Sequence, residues 1–340
     1  MRIALLGCGS VGYAIAYALA EDRRNVELLI LDSSYFRAAK CSSLPLSSTQ
    51  FAILDLSREE NIENALRGVD LVIEALPGSL GFRAMKTAAN MCIDMVSVSF
   101  APEDPMILDA DFRKCGAVLI PDAGFAPGLS NLIVGRALAI SDRIDEVRIY
   151  VGGLPVYPTG PLRHSITWSP DDFIDEYLRP ARIIEDGEIR SVDPLSTIEI
   201  VDVPGFGQFE AFYSDGLRTL LYVLKGRVRK AFEKTIRYRG HIEAMKILKD
   251  LGLMSSEPIK IDGVDVPPRR VLAKLLERQR YPEVPDLTIL YIEVYGEIEK
   301  KNRVLRYLLW SRYDESRDLT AMAKTTGFAA YAMARLIISG

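Results

Sequence analysis

Gly7-Cys8-Gly9-Ser10-Val11-Gly12 places three glycines at the spacing G-x-G-x-x-G, and Asp32 follows twenty residues after the last of them. Residues of these types at this spacing suit the binding of a pyrophosphate and the ribose beside it. Gly7 permits a tight turn, Gly9 lets backbone N–H groups approach phosphate, and Gly12 lets a helix pack close to a strand. The positive end of that helix, opening with Ser10 and Val11, faces the negative charge. Asp32 stands where a carboxylate accepts hydrogen bonds from the adenosine ribose hydroxyls and repels a 2′-phosphate, which favours NAD. Ser33, Ser34 and Arg37 could instead contact that phosphate, so NADP stays possible.

The elements that must hold these groups are legible as an alternation. Residues 2–6, 26–32, 51–56, 71–76, 95–100 and 117–121 read as apolar strands, and 11–20, 59–66, 82–92 and 105–114 as helices between them. Near-continuous apolar strands joined by helices predict an α/β fold, a Rossmann doubly wound parallel sheet covered on both faces. Its functional positions gather at the carboxyl ends of the strands. There Asp55 and Leu56 would border the adenine, and Ala75, Leu76 and Pro77 the nicotinamide half. Ser97, Asp122 and Gly124 fall at later strand ends.

After Gly124 the grammar changes. A helix over 127–139 is followed by a strand over 146–153 and a Pro-rich loop. Ser169-Pro170-Asp171-Asp172 is a helix start, with a capping serine, proline in the first turn and acids facing the dipole. Residues 183–192 predict a hairpin about Asp186-Gly187, and 286–295 with 303–310 a longer one about a charged turn at 297–302. This region reads as α+β and mostly antiparallel, and a large one-sided sheet of this kind predicts a homodimer. Thr320 begins an alanine-rich helix expected to return to the nucleotide domain. The predicted domains are therefore 1–124 plus 312–340 for the dinucleotide, and 125–311 for substrate and dimerisation.

Substrate chemistry must come from the second domain. Three segments concentrate polar residues there: 120–131, expected to line an interdomain cleft, 210–217 and 234–241. His241 opens a helix, where the dipole disfavours an imidazolium and leaves a proton acceptor. His164 lies in the Pro-rich loop and is the weaker candidate. Arg237 and Arg239 alternate on a strand, so both would turn toward one face and offer guanidinium forks to a carboxylate. Glu210 and Asp215 could hold an amino group.

The totals exclude several classes. The 340-residue chain is 49% hydrophobic and 26% charged with net charge −4, enough for two domains with a substantial core. No basic stripe interleaved with aromatics is present, which argues against nucleic acid. No apolar run is long enough to cross a bilayer, and the chain opens directly on a strand, so no membrane contact and a cytoplasmic protein are expected. Cys8, Cys41, Cys92 and Cys115 form no C-x-x-C pair; no metal site and four reduced thiols are expected. With no G-x-S-x-G elbow, Walker A or H-E-x-x-H motif, hydride transfer to nicotinamide is the simplest chemistry left.

PDAGFAPGLSN, YVGGLP, HSITWSP, EAFYSDGLRTL, KTIRYRGH and TAMAKTTGFAA together make the chain resemble the saccharopine dehydrogenase-like family over nearly its full length. Within it the chain is most similar to the L-lysine 6-dehydrogenases. The resemblance implies NAD-dependent oxidative deamination of the lysine side-chain amine to 2-aminoadipate 6-semialdehyde with release of ammonia. It also implies a saccharopine-dehydrogenase-like C-terminal domain, a nucleotide domain closed by the C-terminal helix, and a dimer. His241 would then be the first choice of base and Asp122 the second, with Arg237 and Arg239 on the α-carboxylate and Glu210 or Asp215 on the α-amino group. Saccharopine or carboxynorspermidine dehydrogenases share the architecture, and a catalytically silent NAD-binding regulator is the reading from another class. One departure stands out: where the family often reads V-D-x-S after the fifth strand, this chain has Val96-Ser97-Val98-Ser99.

Overall fold

The computed structural model describes residues 1–22, 26–46 and 48–339. The chain divides into two compact units, Met1–Leu129 with Asp314–Gly340, and Ser130–Tyr313.

In the first unit, strands and helices alternate as β1 (Arg2–Leu6), α1 (Ser10–Glu21), β2 (Glu27–Asp32), α2 (Tyr35–Ser42), β3 (Ser48–Ile53), α3 (Glu59–Ala65), β4 (Leu71–Glu74), α4 (Gly78–Asn90), β5 (Asp94–Ser97), α5 (Asp109–Cys115) and β6 (Leu119–Ile120). All six strands run parallel in the order β3-β2-β1-β4-β5-β6. The order reverses between β1 and β4, which is where such a sheet opens a crevice for a ligand. The apolar strands bury both faces: Ile3, Leu5, Ile30 and Ile73 pack on one side, and Ala4, Leu6, Leu31 and Val72 on the other.

The cysteines correct an expectation. Cys8 is disulfide-bonded to Cys41 and Cys92 to Cys115, so these are not reduced thiols. The partners are 33 and 23 residues apart, spacings that carry no motif. Only the folding of α2 beside the β1 turn, and of α5 beside the end of α4, brings them together.

The second unit contains α6 (Leu129–Ile140), which begins on the last residue of the first, then β7 (Arg143–Pro155), α7 (Pro170–Asp175), β8 (Ala181–Glu185), β9 (Glu188–Val192), β10 (Glu199–Val203), β11 (Gly207–Ser214), α8 (Leu220–Leu224), β12 (Lys230–Arg237), α9 (His241–Asp250), β13 (Ile259–Ile261), β14 (Val264–Val266), α10 (Pro268–Leu276), β15 (Asp286–Ile298) and β16 (Lys301–Arg312). Its main sheet has the order β10-β11-β12-β7-β15-β16, with β8 pairing β12 and β9. β7 and β12 are parallel and the remaining described pairs of this sheet antiparallel. The charged turn tightens to Glu299 and Lys300, both at positive φ, as a two-residue hairpin turn requires.

The chain finally re-enters the first unit as α11 (Ala321–Ser339). A Cβ on Gly327 would lie 2.7 Å from Ala14 Cβ and 3.0 Å from the Val11 carbonyl oxygen. The small residues of α11 therefore let it lie close against α1. No helix among the described residues is long and apolar enough to cross a membrane.

Candidate functional site

The dinucleotide turn is built as its glycines require. Gly7 adopts φ 85° and donates its N–H to the Leu31 carbonyl at 2.8 Å. A Cβ there would meet the Ala75 carbonyl oxygen at 2.7 Å, and one on Gly12 would meet the Gly7 carbonyl oxygen at 2.0 Å. A Cβ on Gly9 would meet nothing within 4 Å. The turn is thus closed against the protein at Gly7 and Gly12 and open at Gly9, on the N-cap of α1. No side chain caps that helix and no acid sits in its first turn, which includes Ser10 and Val11. This fits a pyrophosphate, whose oxygens would take the free N–H groups.

Asp32 is buried at the end of β2. Its Oδ2 accepts the Cys8 N–H at 2.7 Å, and its Oδ1 accepts the Ser34 N–H at 2.7 Å and Arg37 Nε at 3.1 Å. The acid so ties the phosphate turn to α2, which carries Arg37, while Ser33 is exposed and lies 3.4 Å from an Arg37 nitrogen. Asp55 falls beyond β3 and is exposed, engaged with Ser57, whereas Leu56 is buried in the core. Ala75, Leu76 and Pro77 follow β4 against the Gly7 turn. Asp122 is buried after β6 at φ 52°, and the Gly124 N–H donates to the Pro127 carbonyl at 3.0 Å.

Sequence reasoning missed Glu74. It is fully buried at the end of β4, with Oε2 hydrogen-bonded by Ser97 Oγ and Oε1 accepting the Leu76 N–H at 2.5 Å and Ser99 Oγ at 2.6 Å. Burial raises its pKa while the two serines and the Leu76 N–H oppose that rise. The signal was present: one acid ending an otherwise apolar strand, beside two serines.

In the second unit, β12 is central, so its polar residues are buried. Lys234 pairs with Glu199 at 3.0 Å, and Arg237 with Glu176 at 2.6 Å. β12 ends at Arg237, and Arg239 lies beyond it, exposed. The alternation that would bring both arginines to one face does not continue that far. Glu210 stands opposite Arg237 in register but turns to α9, accepting the Gly240 N–H at 2.8 Å and the Ile242 N–H at 3.2 Å. A carboxylate there satisfies the first amides of the helix. Asp215 takes both prongs of Arg182 at 2.9 Å.

His241 is fully buried as the first residue of α9. Its Nδ1 donates to the Leu162 carbonyl at 2.6 Å, which leaves Nε2 to accept the Tyr177 hydroxyl at 2.7 Å. Burial first, and the Arg237 guanidinium second, push its pKa down to about 3, while the Leu162 contact opposes the shift. Burial and the neighbouring guanidinium keep this histidine neutral. His164 lies beside it, ring centroids 5.4 Å apart, stacked on Phe173, and it too is held well below its ordinary pKa, chiefly by burial. Tyr177 and Glu176 were invisible in the sequence because nothing in their spacing relates them to β12. His164 Nδ1 and Arg237 Nε are buried without a hydrogen-bond partner among the described residues. No cluster of three or more potential metal ligands occurs among the described residues.

The family model described as saccharopine dehydrogenase NADP binding domain matches residues 3–120, and that described as saccharopine dehydrogenase C-terminal domain matches 124–340. The chain is 24% identical to an alpha-aminoadipic semialdehyde synthase of Arabidopsis thaliana over 90% of this chain, but it spans only 31% of that relative's length. It is 22% identical to a saccharopine dehydrogenase [NADP(+), L-glutamate-forming] of Pyricularia oryzae, covering 94% of this chain and 72% of that one. The fold matches apo saccharopine dehydrogenase (L-Glu forming) from Saccharomyces cerevisiae with a TM-score of 0.78 at 18% identity, over 100% of this chain and 91% of the other. With a nucleotide turn shaped for a pyrophosphate and both family models matched in order, the chain belongs to the saccharopine dehydrogenase family and takes an NAD(P) cofactor.

Proposed function

We propose that the protein is an NAD-dependent dehydrogenase that oxidatively deaminates the side-chain amine of L-lysine, giving 2-aminoadipate 6-semialdehyde and ammonia. The observation that carries this reading is the charge balance of the second unit. Its buried Lys234 and Arg237 are matched by Glu199 and Glu176, and Arg182 by Asp215. Lys234 and Glu199 lie on the opposite face of β12 from Arg237, so on the His241 face Arg237 is already balanced by Glu176, which favours a substrate with one carboxylate over saccharopine, which has three. The unpaired Arg237 Nε is proposed to meet the α-carboxylate, and His164 Nδ1 to accept from an amine; both would satisfy buried polar groups. Glu210 and Asp215 are engaged with α9 and Arg182, so they shape the site and leave the amino group to others.

When bound, NAD(P) supplies the hydride acceptor. An ε-ammonium has a pKa of about 10.4, far above that of His241, so the amine is proposed to enter with its proton already lost. His241 Nε2 then holds the Tyr177 hydroxyl toward the amine, and Asp122 is the second candidate for proton transfer. The imine left by hydride transfer is hydrolysed by water to aldehyde and ammonia. The expected pH profile follows: log kcat/KM for lysine rises with unit slope toward the amine pKa and shows no inflection near 6.5. A histidine-like inflection in that profile would return His241 to direct proton transfer.

A second reading, saccharopine oxidation, is favoured by the relatives' printed activities and by Arg218, which is buried in the same unit. NADH absorbance with lysine, saccharopine, ornithine and diamines decides between them. Strong signal with saccharopine and none with lysine would overturn the first reading; no signal with any amine would favour a silent NAD-binding regulator. A homodimer through the second unit is part of the proposal, since β16 is a free edge that exposes Trp310.

The preference for NAD over NADP is proposed to rest on Asp32. Asp32→Ser frees Arg37, whose guanidinium can then take a 2′-phosphate. Titration of both cofactors is expected to show the NADP-to-NAD affinity ratio rising about tenfold or more, a typical worth for one charge-assisted contact. An unchanged ratio would place the discrimination elsewhere.

A further inference from the structure

Glu74 gathers four groups around one buried carboxyl: the Leu76 N–H, Ser97 Oγ, Ser99 Oγ and, through Ser99, the Leu76 carbonyl at 2.7 Å. These are the carboxyl ends of β4 and β5 and the turn between β4 and α4. That turn touches the phosphate loop, since a Cβ on Gly7 would lie 2.7 Å from the Ala75 carbonyl oxygen and 3.1 Å from Leu76 Cδ2. β1 and β4 flank the switch point of the sheet, across which a dinucleotide extends from adenosine to nicotinamide. Asp32, at the end of β2, marks the adenosine end, so the β4 turn marks the nicotinamide end.

A wholly buried acid is costly, and an alanine or serine would fill the strand position without that cost. The nicotinamide ring, however, is cationic when oxidised and neutral when reduced. A fixed anion beneath it distinguishes the two forms, because in a buried setting a charge several ångströms away is weakly screened. We propose that Glu74 is a redox-biasing residue: its carboxylate stabilises the oxidised nicotinamide and so makes the protein bind NAD(P)+ in preference to the reduced cofactor. Ser97 Oγ and the Leu76 N–H donate to that carboxylate and oppose the rise that burial imposes on its pKa. Ser97 is one of those donors, which assigns the position where the family pattern would place an aspartate.

The proposal concerns the cofactor alone, so its test needs no amine and stands or falls apart from the lysine reading. Dissociation constants of NAD+ and NADH are measured by titration of the full chain, for the wild type, for Glu74→Gln, and for the double variant Glu74→Ser/Ser97→Asp. Glu74→Gln should raise the ratio of the oxidised to the reduced dissociation constant about tenfold, roughly the worth of one charge pair about 12 Å apart at an effective dielectric of about 20. The double variant, which moves the carboxylate one strand over, should restore the wild-type ratio to within about threefold. A purely structural Glu74 would weaken both forms alike and leave the ratio unchanged, which overturns the proposal. Should Glu74→Gln bind neither form, the double variant decides: a wild-type ratio supports the proposal. A raised ratio, or no binding despite the retained charge, refutes it.

Discussion

Gly12→Ala is expected to abolish cofactor binding and to destabilise the first unit, whereas Gly9→Ala should abolish binding alone. The contrast rests on what each new methyl would meet. At Gly12 it would lie 2.0 Å from the Gly7 carbonyl oxygen and 2.9 Å from its carbonyl carbon, and backbone cannot rotate aside as a side chain would. Gly7 is itself held by Leu31 on one side and faces the Ala75 carbonyl on the other. Helix α1 must therefore lift away from β1, at a cost of about 1–3 kcal/mol or more for overpacking, and its amides leave the phosphate position. At Gly9 the methyl would meet no protein atom within 4 Å, and the residue has φ −69°, which alanine adopts freely. Stability should stay within about 0.5 kcal/mol of wild type, as for an ordinary surface substitution. The methyl instead fills the space left for a pyrophosphate, and affinity for NAD(P) should fall at least about a hundredfold, near 3 kcal/mol. Thermal unfolding and cofactor titration of both variants check this. Undiminished cofactor affinity in Gly9→Ala would mean that the phosphates do not use this turn.

Why the first unit was so legible, and the second less so, has a physical basis. A dinucleotide turn is local: three glycines, one helix start and one strand-terminal acid lie within thirty-two residues, and each has a steric or electrostatic reason to be where it is. The alternation of apolar strands and helices then dictates a parallel sheet, and the family resemblance was carried by motifs in order. What the sequence did not reveal depends on contacts between distant segments. Lys234 and Arg237 look like exposed strand cations until β12 proves to lie between β11 and β7, where each is buried and requires a carboxylate partner. Arg239 seemed to share the face of Arg237 because the end of a strand cannot be fixed to within two residues from its pattern. Glu210 and Asp215 seemed available because α9 and Arg182, which engage them, lie 30 and 33 residues away. The disulfides escaped for the same reason. Glu74 differs: it ends an apolar strand whose pattern hides it, although an acid in such a strand must find donors nearby, as it does in Ser97, Ser99 and the Leu76 N–H.

His241 carries the second large effect, and its burial makes two measurements necessary. Removing the ring in His241→Ala leaves the Tyr177 hydroxyl and the Leu162 carbonyl without their partner inside the core. Turnover with lysine is expected to fall by about a hundredfold, the order for loss of a group that positions the reacting centre. NAD affinity, which belongs to the first unit, should stay unchanged. His241→Gln, which retains polar atoms near both partners, should recover part of the stability but little of the turnover; full recovery of turnover would reduce His241 to packing. The pH dependence of stability supplies the independent check. The histidine is neutral when folded, with its pKa near 3, and titrates near 6.5 when unfolded. Above pH 6.5 both states are neutral and the group adds no slope. Below it the unfolded chain takes up a proton that the folded chain refuses, so stability is lost as pH falls from about 6.5 toward 3, by about 1.4 kcal/mol per pH unit. Raised carboxyl groups such as Glu74 tilt the curve the other way, so the absolute slope of the wild type is not diagnostic. The difference between wild type and His241→Gln is diagnostic, because the carboxyl contributions cancel in it. Denaturant unfolding at pH 7 and pH 5 should show the advantage of the wild type shrinking by about 2 kcal/mol. An advantage that is constant across that interval would mean that His241 is open to protons in the folded protein, as a solvent-facing base would be.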